Sequence, residues 1–107
     1  MPSKIICNEK KHPGGKLVKV CVNILDNEVH GVVLTGDFFA EPEEVMEEVI
    51  KNLLTLKCNL RELEEKVIEI IERANVKIIG IDKEDIKGAL TGILSTLATS
   101  SSTENEK

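Results

Sequence analysis

The sequence predicts an α+β domain of two layers, in which an antiparallel sheet built on a β-hairpin is packed by three helices. The first observation is the alternation of apolar and mixed residues over 17–25, which is typical of a half-buried strand. The second is that three segments with apolar residues at helical spacing follow later. Strands early and helices late favour this class. We expect one domain over 1–98 and a flexible Ser-rich, charged tail over 99–107.

The predicted hairpin occupies residues 16–38. Asp26 and Asn27 both tolerate the left-handed backbone that a tight turn requires, so they place the turn between the two strands. Three helices carry more apolar surface than two strands can cover. We therefore expect the segments near 4–8 and 76–81 to extend the sheet, and some apolar surface to remain for a partner.

Residues that suit helix starts define the three helices. The first helix begins at Pro42, and the neighbouring glutamates are favourable near the positive end of its dipole. The second begins at Asn59, a good N-cap, with Glu62 placed for a capping box. Asp82 is expected to cap the third.

Composition excludes several classes of function. A net charge of −5 argues against nucleic acid, whose binding needs clustered Lys and Arg, and two aromatic residues are too few to stack bases. No apolar run approaches the ~20 residues of a membrane span, and residues 1–7 lack the apolar stretch of a signal peptide. We expect a cytoplasmic protein that binds neither nucleic acid nor membrane.

The cysteines and histidines do not form a ligand pattern. Cys7, Cys21 and Cys58 are odd in number and widely spaced, which favours reduced thiols in the cytoplasm. We expect Cys21 and Cys58 to be inert apolar filler and Cys7 to be exposed. His12 and His30 lack Cys or Asp at ligand spacing, so we expect them to be solvated or hydrogen-bonded and predict no metal site.

A compact candidate for chemistry is Gly14-Gly15-Lys16. Glycines let a backbone approach a phosphate closely, and lysine supplies a mobile charge. The same residues also suit a loop that enters a strand with Lys16 in solvent. Asp37 has three open roles: a cap for the helix at Pro42, an ion-pair partner of Lys16, or a carboxylate beside magnesium.

The two aromatic residues of the chain are adjacent, in Thr35-Gly36-Asp37-Phe38-Phe39. Neighbouring residues on a regular strand face opposite sides, so one phenylalanine can enter the core while the other anchors an interface. The alternative is that both lie in the core at a bent strand end. We expect this segment and the glycine–lysine segment to be facing parts of one surface.

Together these segments resemble a known family. The order GGKL at 14–17, a hairpin, TGDFF at 35–39, a proline and an acidic amphipathic helix resembles the C-terminal accessory domain of lipoate–protein ligases. It is most similar to the archaeal version, which is a small separate chain beside the catalytic subunit. The match runs from about Lys11 to Leu97 and includes IGIDKEDI at 79–86. The resemblance implies a fold related to SufE-type and NifU-type proteins.

The resemblance also implies an activity shared with a partner chain. The catalytic subunit of such an enzyme binds lipoate and ATP with Mg²⁺, makes lipoyl-adenylate, and passes lipoate to a lysine of a lipoyl domain. The accessory domain is needed for activation and is dispensable for transfer. This chain lacks the Arg-Arg-x-x-Gly-Gly-Gly type segment of the catalytic subunit. The resemblance therefore implies a heterodimer, with no cofactor bound by this chain alone.

Within that family, the glycine–lysine segment acquires an expected role. Adenylation concentrates charge on the α-phosphate, so it gains from a placed cation and from closure that excludes water. Lys16 is the candidate catalytic cation, held by the Gly14-Gly15 loop. Asp37 is expected to orient Lys16 or to cap the helix.

The aromatic segment acquires the role of a docking surface. Phe38 or Phe39 is expected to contact the catalytic subunit, and Thr35 and Gly36 are expected to lie in the same interface. Aromatic side chains make large and geometrically specific contacts, which suits an interface anchor.

Two other functions stay open. The related fold also includes iron–sulfur scaffolds and sulfur-transfer proteins, which need reactive cysteines at set positions. The three cysteines do not supply such a set. A free-standing adaptor without an enzymatic role is the other alternative.

Overall fold

A computed structural model describes the backbone of residues 3–105 and the side chains of residues 3–97. Within that part, three α-helices and six strands confirm the predicted α+β class and its two layers. In chain order they are β1 (Lys4–Lys11), β2 (Leu17–Leu25), β3 (Glu28–Gly36), β4 (Phe39–Glu41), α1 (Glu43–Leu54), β5 (Lys57–Asn59), α2 (Leu63–Ala74), β6 (Lys77–Ile79) and α3 (Lys83–Asn105).

The main sheet is antiparallel, with strand order β1-β2-β3-β5. The predicted hairpin is confirmed as β2 and β3, joined at Asp26 and Asn27, whose φ angles are 54° and 64°. β1 pairs with β2 along its length, so the first segment extends the sheet as expected. β5 has no counterpart in the predicted elements. Its three residues become a strand because they pair with the start of β3.

The segment near 76–81 joins a second sheet, so the expectation that it extends the main sheet is wrong. β6 pairs antiparallel with β4, with Phe39 opposite Ile79. The reason is topological. The chain leaves β3 at Gly36, so β4 lies outside the main sheet and offers an open strand for pairing.

The core lies between the main sheet and the helices. α3 packs on β1 and β2, α1 packs on β3, and α2 packs on α1 and α3. The inner face of the sheet is aliphatic, as the predicted alternation requires, and burial of each such side chain contributes about 1.5–3 kcal/mol. Fully buried residues of the core include Val18, Val20, Val22 and Val29 from the sheet, and Val49, Leu53, Leu63, Ile86, Leu90 and Ile93 from the helices.

Cys7 and Cys21 form a disulfide bond across β1 and β2, with an S–S distance of 2.06 Å. The expectations of reduced thiols throughout and of an inert Cys21 are therefore wrong. The two residues are separated by 14 positions in sequence, and the β1–β2 register places them directly opposite each other. That register is a long-range property that spacing alone does not show. Cys58 is free and half-buried.

The helix ends bear on two predictions. Asn59 is a cap as expected, because its Oδ1 accepts the Glu62 N–H at 3.0 Å, although the first turn is 3₁₀ and α2 begins at Leu63. The backbone of α3 continues to Asn105. For the tail predicted over 99–107, the side chains and the backbone of the last two residues lie outside the described residues. In the described part of the chain, no helix combines the length and apolar character needed to cross a bilayer.

Candidate functional site

The loop between β1 and β2 holds the predicted glycine–lysine segment. The His12 N–H donates to the Lys16 carbonyl at 2.9 Å, and the Gly15 N–H donates to the His12 carbonyl at 2.7 Å. Gly14 has a φ of 71°, in the left-handed region that favours glycine. The loop is therefore a tight turn, and Lys16 leaves it as an exposed side chain.

Gly80, in the link between β6 and α3, holds this loop from the other side. The Lys16 N–H donates to the Gly80 carbonyl at 3.0 Å. A Cβ built on Gly80 would lie 2.6 Å from Lys16 Cγ, and one built on Gly15 would lie 2.7 Å from the Gly80 carbonyl oxygen. Both distances are too short for a real side chain. Two glycines thus allow the loop and the link to touch, which brings residues far apart in sequence onto one surface.

The turn after β3 forms the third part of this surface. The Asp37 N–H donates to the Leu17 carbonyl at 3.0 Å, which fixes the turn to the start of β2. Phe38 is half-buried and packs against the core, whereas Phe39 is 65% exposed. The division of the two phenylalanines between core and surface is confirmed, and it assigns Phe38 to the core.

These three segments, residues 12–16, 36–39 and 79–82, form a surface that we call the loop corner. Phe39 and Ile79 are paired across β4 and β6, and both are exposed. The Lys16 Nζ lies 6.0 Å from the centroid of the Phe39 ring, at the outer limit of a cation–π contact. The structure therefore brings the two predicted segments together, while their contacts with any ligand or partner stay predictions.

Asp37 lies at the loop corner with its side chain exposed. It does not cap α1, because that helix begins after Pro42 and has no side-chain cap. Among residues 3–97 there is no ion pair between Asp37 and Lys16. The third role, a carboxylate beside magnesium, stays a prediction.

A buried carboxylate lies behind the loop corner. The Asp85 side chain is 7% exposed, and its Oδ2 lies 2.7 Å from His12 Nδ1 and accepts the Asp82 N–H at 2.8 Å. Burial raises the pKa of Asp85, but the hydrogen bonds from Asp82 and His12 outweigh it, so this pKa lies below its ordinary value. His12 is hydrogen-bonded, as expected.

His12, Asp82 and Asp85 form the one donor set in the described residues that could approach a metal ion, with ligand atoms within 4.8 Å of one another. The Asp82 carboxylate is exposed, and its Oδ2 lies 4.0 Å from His12 Nδ1. The Asp85 oxygen that faces His12 is already in hydrogen bonds with both His12 and the Asp82 N–H. The cluster is thus satisfied by its own hydrogen bonds, and we assign no ion to it.

An open groove of about 440 Å³ lies beside the loop corner, between β3, β4 and α1. Its lining includes the buried Met46 and the acidic residues Glu43 and Glu47. An apolar groove with acidic neighbours suits an apolar side chain carried by a basic segment. The groove is lined by all four residues predicted for a partner interface: Thr35, Gly36, Phe38 and Phe39.

Comparison with known proteins supports the fold. No protein-family model matches the sequence, and no curated protein matches it. Among solved structures, the chain is similar to one from an archaeal lipoylation system of Thermoplasma acidophilum, described as a bi-partite lipoate protein ligase and its lipoyl domain. The two chains are 19% identical, with a TM-score of 0.65, over 83% of this chain and 97% of that chain. They share a fold.

The resemblance predicted from the GGKL and TGDFF segments is therefore confirmed at the level of the fold. The shared region covers nearly the whole of the Thermoplasma chain, so the two chains are similar in extent as well. The relation to SufE-type and NifU-type proteins stays a prediction.

The cysteines do not form a sulfur-handling site among the described residues. Cys7 and Cys21 are bonded to each other, which leaves Cys58 as the free thiol. Burial raises the pKa of Cys58, the nearby Glu62 raises it further, and Lys66 opposes them in part. Since the thiolate is the form that binds metals and attacks sulfur, this environment disfavours a scaffold or sulfur-transfer role.

Ile79 and Gly80 of the loop corner, and Asp85 behind it, had no predicted role. A signal for Gly80 exists in the sequence, because a glycine between a short strand and a helix start is typical of a turn with positive φ. Asp85 gives no such signal, since its partner His12 lies 73 positions away.

Proposed function

We propose that this chain is the accessory subunit of a two-chain lipoate–protein ligase. With a catalytic subunit, it is required for the ATP-dependent activation of lipoate to lipoyl-AMP, which precedes transfer to a lysine of a lipoyl domain. The observation that carries the proposal is that the GGKL and TGDFF segments meet at one loop corner, on a fold shared with a chain of an archaeal lipoylation system.

The division of labour follows from what the loop corner contains. It offers one exposed cation, four glycines and an exposed aromatic ring, and its histidine is engaged with Asp85. Such a surface can add charge and exclude water, but it has no nucleophile of its own. The catalytic subunit then holds lipoate and ATP with Mg²⁺, and this chain completes the site on closure.

Lys16 is the residue proposed to act on the reaction. The negative charge that develops on the α-phosphate during adenylation is stabilised by a cation already fixed in place before the reaction. The Lys16 backbone is fixed by hydrogen bonds on both sides, to His12 and Gly80, while its side chain stays exposed. Gly14 and Gly15 keep the turn narrow enough to approach a phosphate group.

Phe39 and Ile79 are proposed as the centre of the contact with the catalytic subunit. They form an exposed apolar pair on a two-stranded sheet, and the groove beside them extends the same surface. Aromatic residues at the centre of an interface frequently dominate its binding energy. Truncating Phe39 should therefore weaken the complex without unfolding the chain.

The test is reconstitution with the cognate catalytic subunit. Pyrophosphate release from lipoate and ATP should require both chains, and lipoate should appear on a separate lipoyl domain. Lys16→Ala should slow pyrophosphate release by about tenfold or more, while transfer from preformed lipoyl-AMP stays at the wild-type rate. Lys19→Ala is the matched control, because Lys19 is also an exposed lysine and lies on β2 outside the loop corner.

Two results would contradict the proposal. The first is pyrophosphate release by the catalytic subunit alone that is as fast as release by the mixture, which would remove the need for this chain. The second is lipoate found attached to this chain by intact-mass measurement, which would make it an acceptor of the transfer rather than a subunit of the ligase.

A further inference from the structure

The buried carboxylate of Asp85 is the one charged side chain that is buried among the described residues. A buried charge is costly unless hydrogen bonds or an opposite charge compensate it. Asp85 has two such partners, and they come from different parts of the chain. The Asp82 N–H belongs to the start of α3, whereas His12 belongs to the loop between β1 and β2.

His12 is the residue that links these two parts. Its backbone N–H and carbonyl bracket the glycine–lysine turn, through hydrogen bonds with Lys16 and Gly15. Its ring lies against the turn, since a Cβ built on Gly15 would fall 2.8 Å from His12 Cδ2. Its Nδ1 then reaches Asp85 Oδ2 at 2.7 Å. His12 thus forms part of the glycine–lysine turn and also joins it, through a hydrogen bond, to the first helical turn of α3.

We propose that His12 is a positioning residue for Lys16. Its hydrogen bond to Asp85, which we call the clasp, holds the loop against α3. The clasp keeps the Lys16 N–H hydrogen-bonded to the Gly80 carbonyl and keeps the Lys16 side chain directed along the loop corner. This inference rests on the proposed function for its catalytic consequence, while the clasp itself is a property of the isolated chain. Lys16 acts on the substrate, and His12 acts through Lys16.

The clasp is tested first without any partner, by amide hydrogen exchange followed by NMR. His12→Ala should speed exchange of the Lys16 amide by about tenfold, the factor expected from losing one hydrogen bond to a charged group. His12→Asn should restore protection, because the Asn side-chain amide can occupy the place of Nδ1 and donate to Asp85. His30→Ala, at the other histidine of the chain, should leave this amide unchanged. Equal protection in His12→Ala and wild type would overturn the clasp.

The catalytic consequence is tested in the reconstituted two-chain enzyme. His12→Ala should slow pyrophosphate release and leave transfer from preformed lipoyl-AMP intact, and His12→Asn should recover the rate. If His12 acts through Lys16, the double variant His12→Ala/Lys16→Ala should be no slower than Lys16→Ala alone. Multiplicative losses in the double variant would overturn the positioning role, because they would mean that the two residues act independently.

The outcomes separate this inference from the proposed function. If the wild-type chain fails to stimulate pyrophosphate release at all, the proposed function fails, and the exchange experiment still decides whether the clasp exists. If the wild-type chain stimulates release and His12→Ala does so equally well, the inference fails and the proposed function stands. Far-UV circular dichroism of each variant verifies that the fold is retained.

Discussion

The hydrophobic core and the loop corner are built by opposite means. The core uses buried apolar side chains that the main sheet and the helices both contribute. The loop corner uses glycines, backbone hydrogen bonds and an exposed aromatic ring, with one buried carboxylate behind it. Stability therefore depends mainly on side-chain volume in the first region and on backbone geometry in the second. The second region is also the one with polar groups available for a ligand.

The largest expected effect is a direct test of the first region. Leu53 and Leu54 are adjacent in α1, but Leu53 is fully buried and Leu54 is 49% exposed. Leu53→Ala should lower the free energy of unfolding by about 2–5 kcal/mol, because it leaves a cavity in the core. Leu54→Ala should lower it by less than about 1 kcal/mol. Equal losses in urea denaturation would mean that burial does not separate the two faces of α1.

The adjacent phenylalanines lie on the border between the two regions. Phe38→Ala should lower the free energy of unfolding by about 1.5–2.5 kcal/mol, roughly half of the effect for a fully buried ring. Phe39→Ala should change it by no more than about 0.5 kcal/mol, while weakening association with the catalytic subunit by about tenfold or more. Thermal unfolding and titration calorimetry measure the two quantities. A larger loss of stability in Phe39→Ala than in Phe38→Ala would contradict the assignment of Phe38 to the core and Phe39 to the surface.

Two glycines test whether backbone geometry controls the loop corner. Gly80→Ala should cost about 1–2 kcal/mol of stability, because φ is 105° there and the new Cβ would meet Lys16 Cγ at 2.6 Å. Gly88 lies inside α3, where a Cβ would meet Lys10 Cε at an ordinary 3.5 Å. Gly88→Ala should therefore stabilise the chain by about 0.5–1 kcal/mol. We expect Gly80→Ala to lower the melting temperature and Gly88→Ala to raise it. Changes of the same sign in both variants would contradict this expectation.

The smallest expected effect concerns pH. The folded chain holds the pKa of Asp85 below its ordinary value of 3.8, so folding favours the carboxylate. Its contribution to stability is complete above that pH and is lost as the pH falls through the lower, folded-state pKa. Asp85→Asn should therefore flatten the acid side of the stability profile below about pH 3.8.

The matched control for this profile is Asp26→Asn. Asp26 lies in the exposed hairpin turn at a positive φ that asparagine also tolerates. Its substitution should leave the acid side of the profile unchanged. If Asp26→Asn flattened the profile as much as Asp85→Asn, the effect would reflect net charge rather than the buried carboxylate.

Local sequence patterns predicted most of the strands and helices, but not which strands pair with one another. The alternation over 17–25 and the Asp26-Asn27 turn were sufficient for the hairpin, because both signals act within a few residues. The pairing of β6 with β4 and the existence of β5 depend on which strand edges are open after folding. Three-residue strands have too few residues to show a period of their own.

The candidate site divides in the same way. The sequence was enough to single out Gly14–Lys16 and the Phe38-Phe39 pair, since both are unusual in composition. It did not show that Gly80 would accept the Lys16 N–H, or that Asp85 would face His12. Nor did it show the Cys7–Cys21 bond.

The sequence by itself determined the α+β class, the hairpin, the helix starts and the two segments that meet at the loop corner. Those features follow from interactions between residues close in the chain, which periodicity, turn chemistry and capping report directly. The tertiary structure alone decided the second sheet, the disulfide, which of the two phenylalanines packs against the core, and the hydrogen bond between His12 and Asp85. Each of these joins residues far apart in sequence, and each depends on register and on the space left after the core has packed.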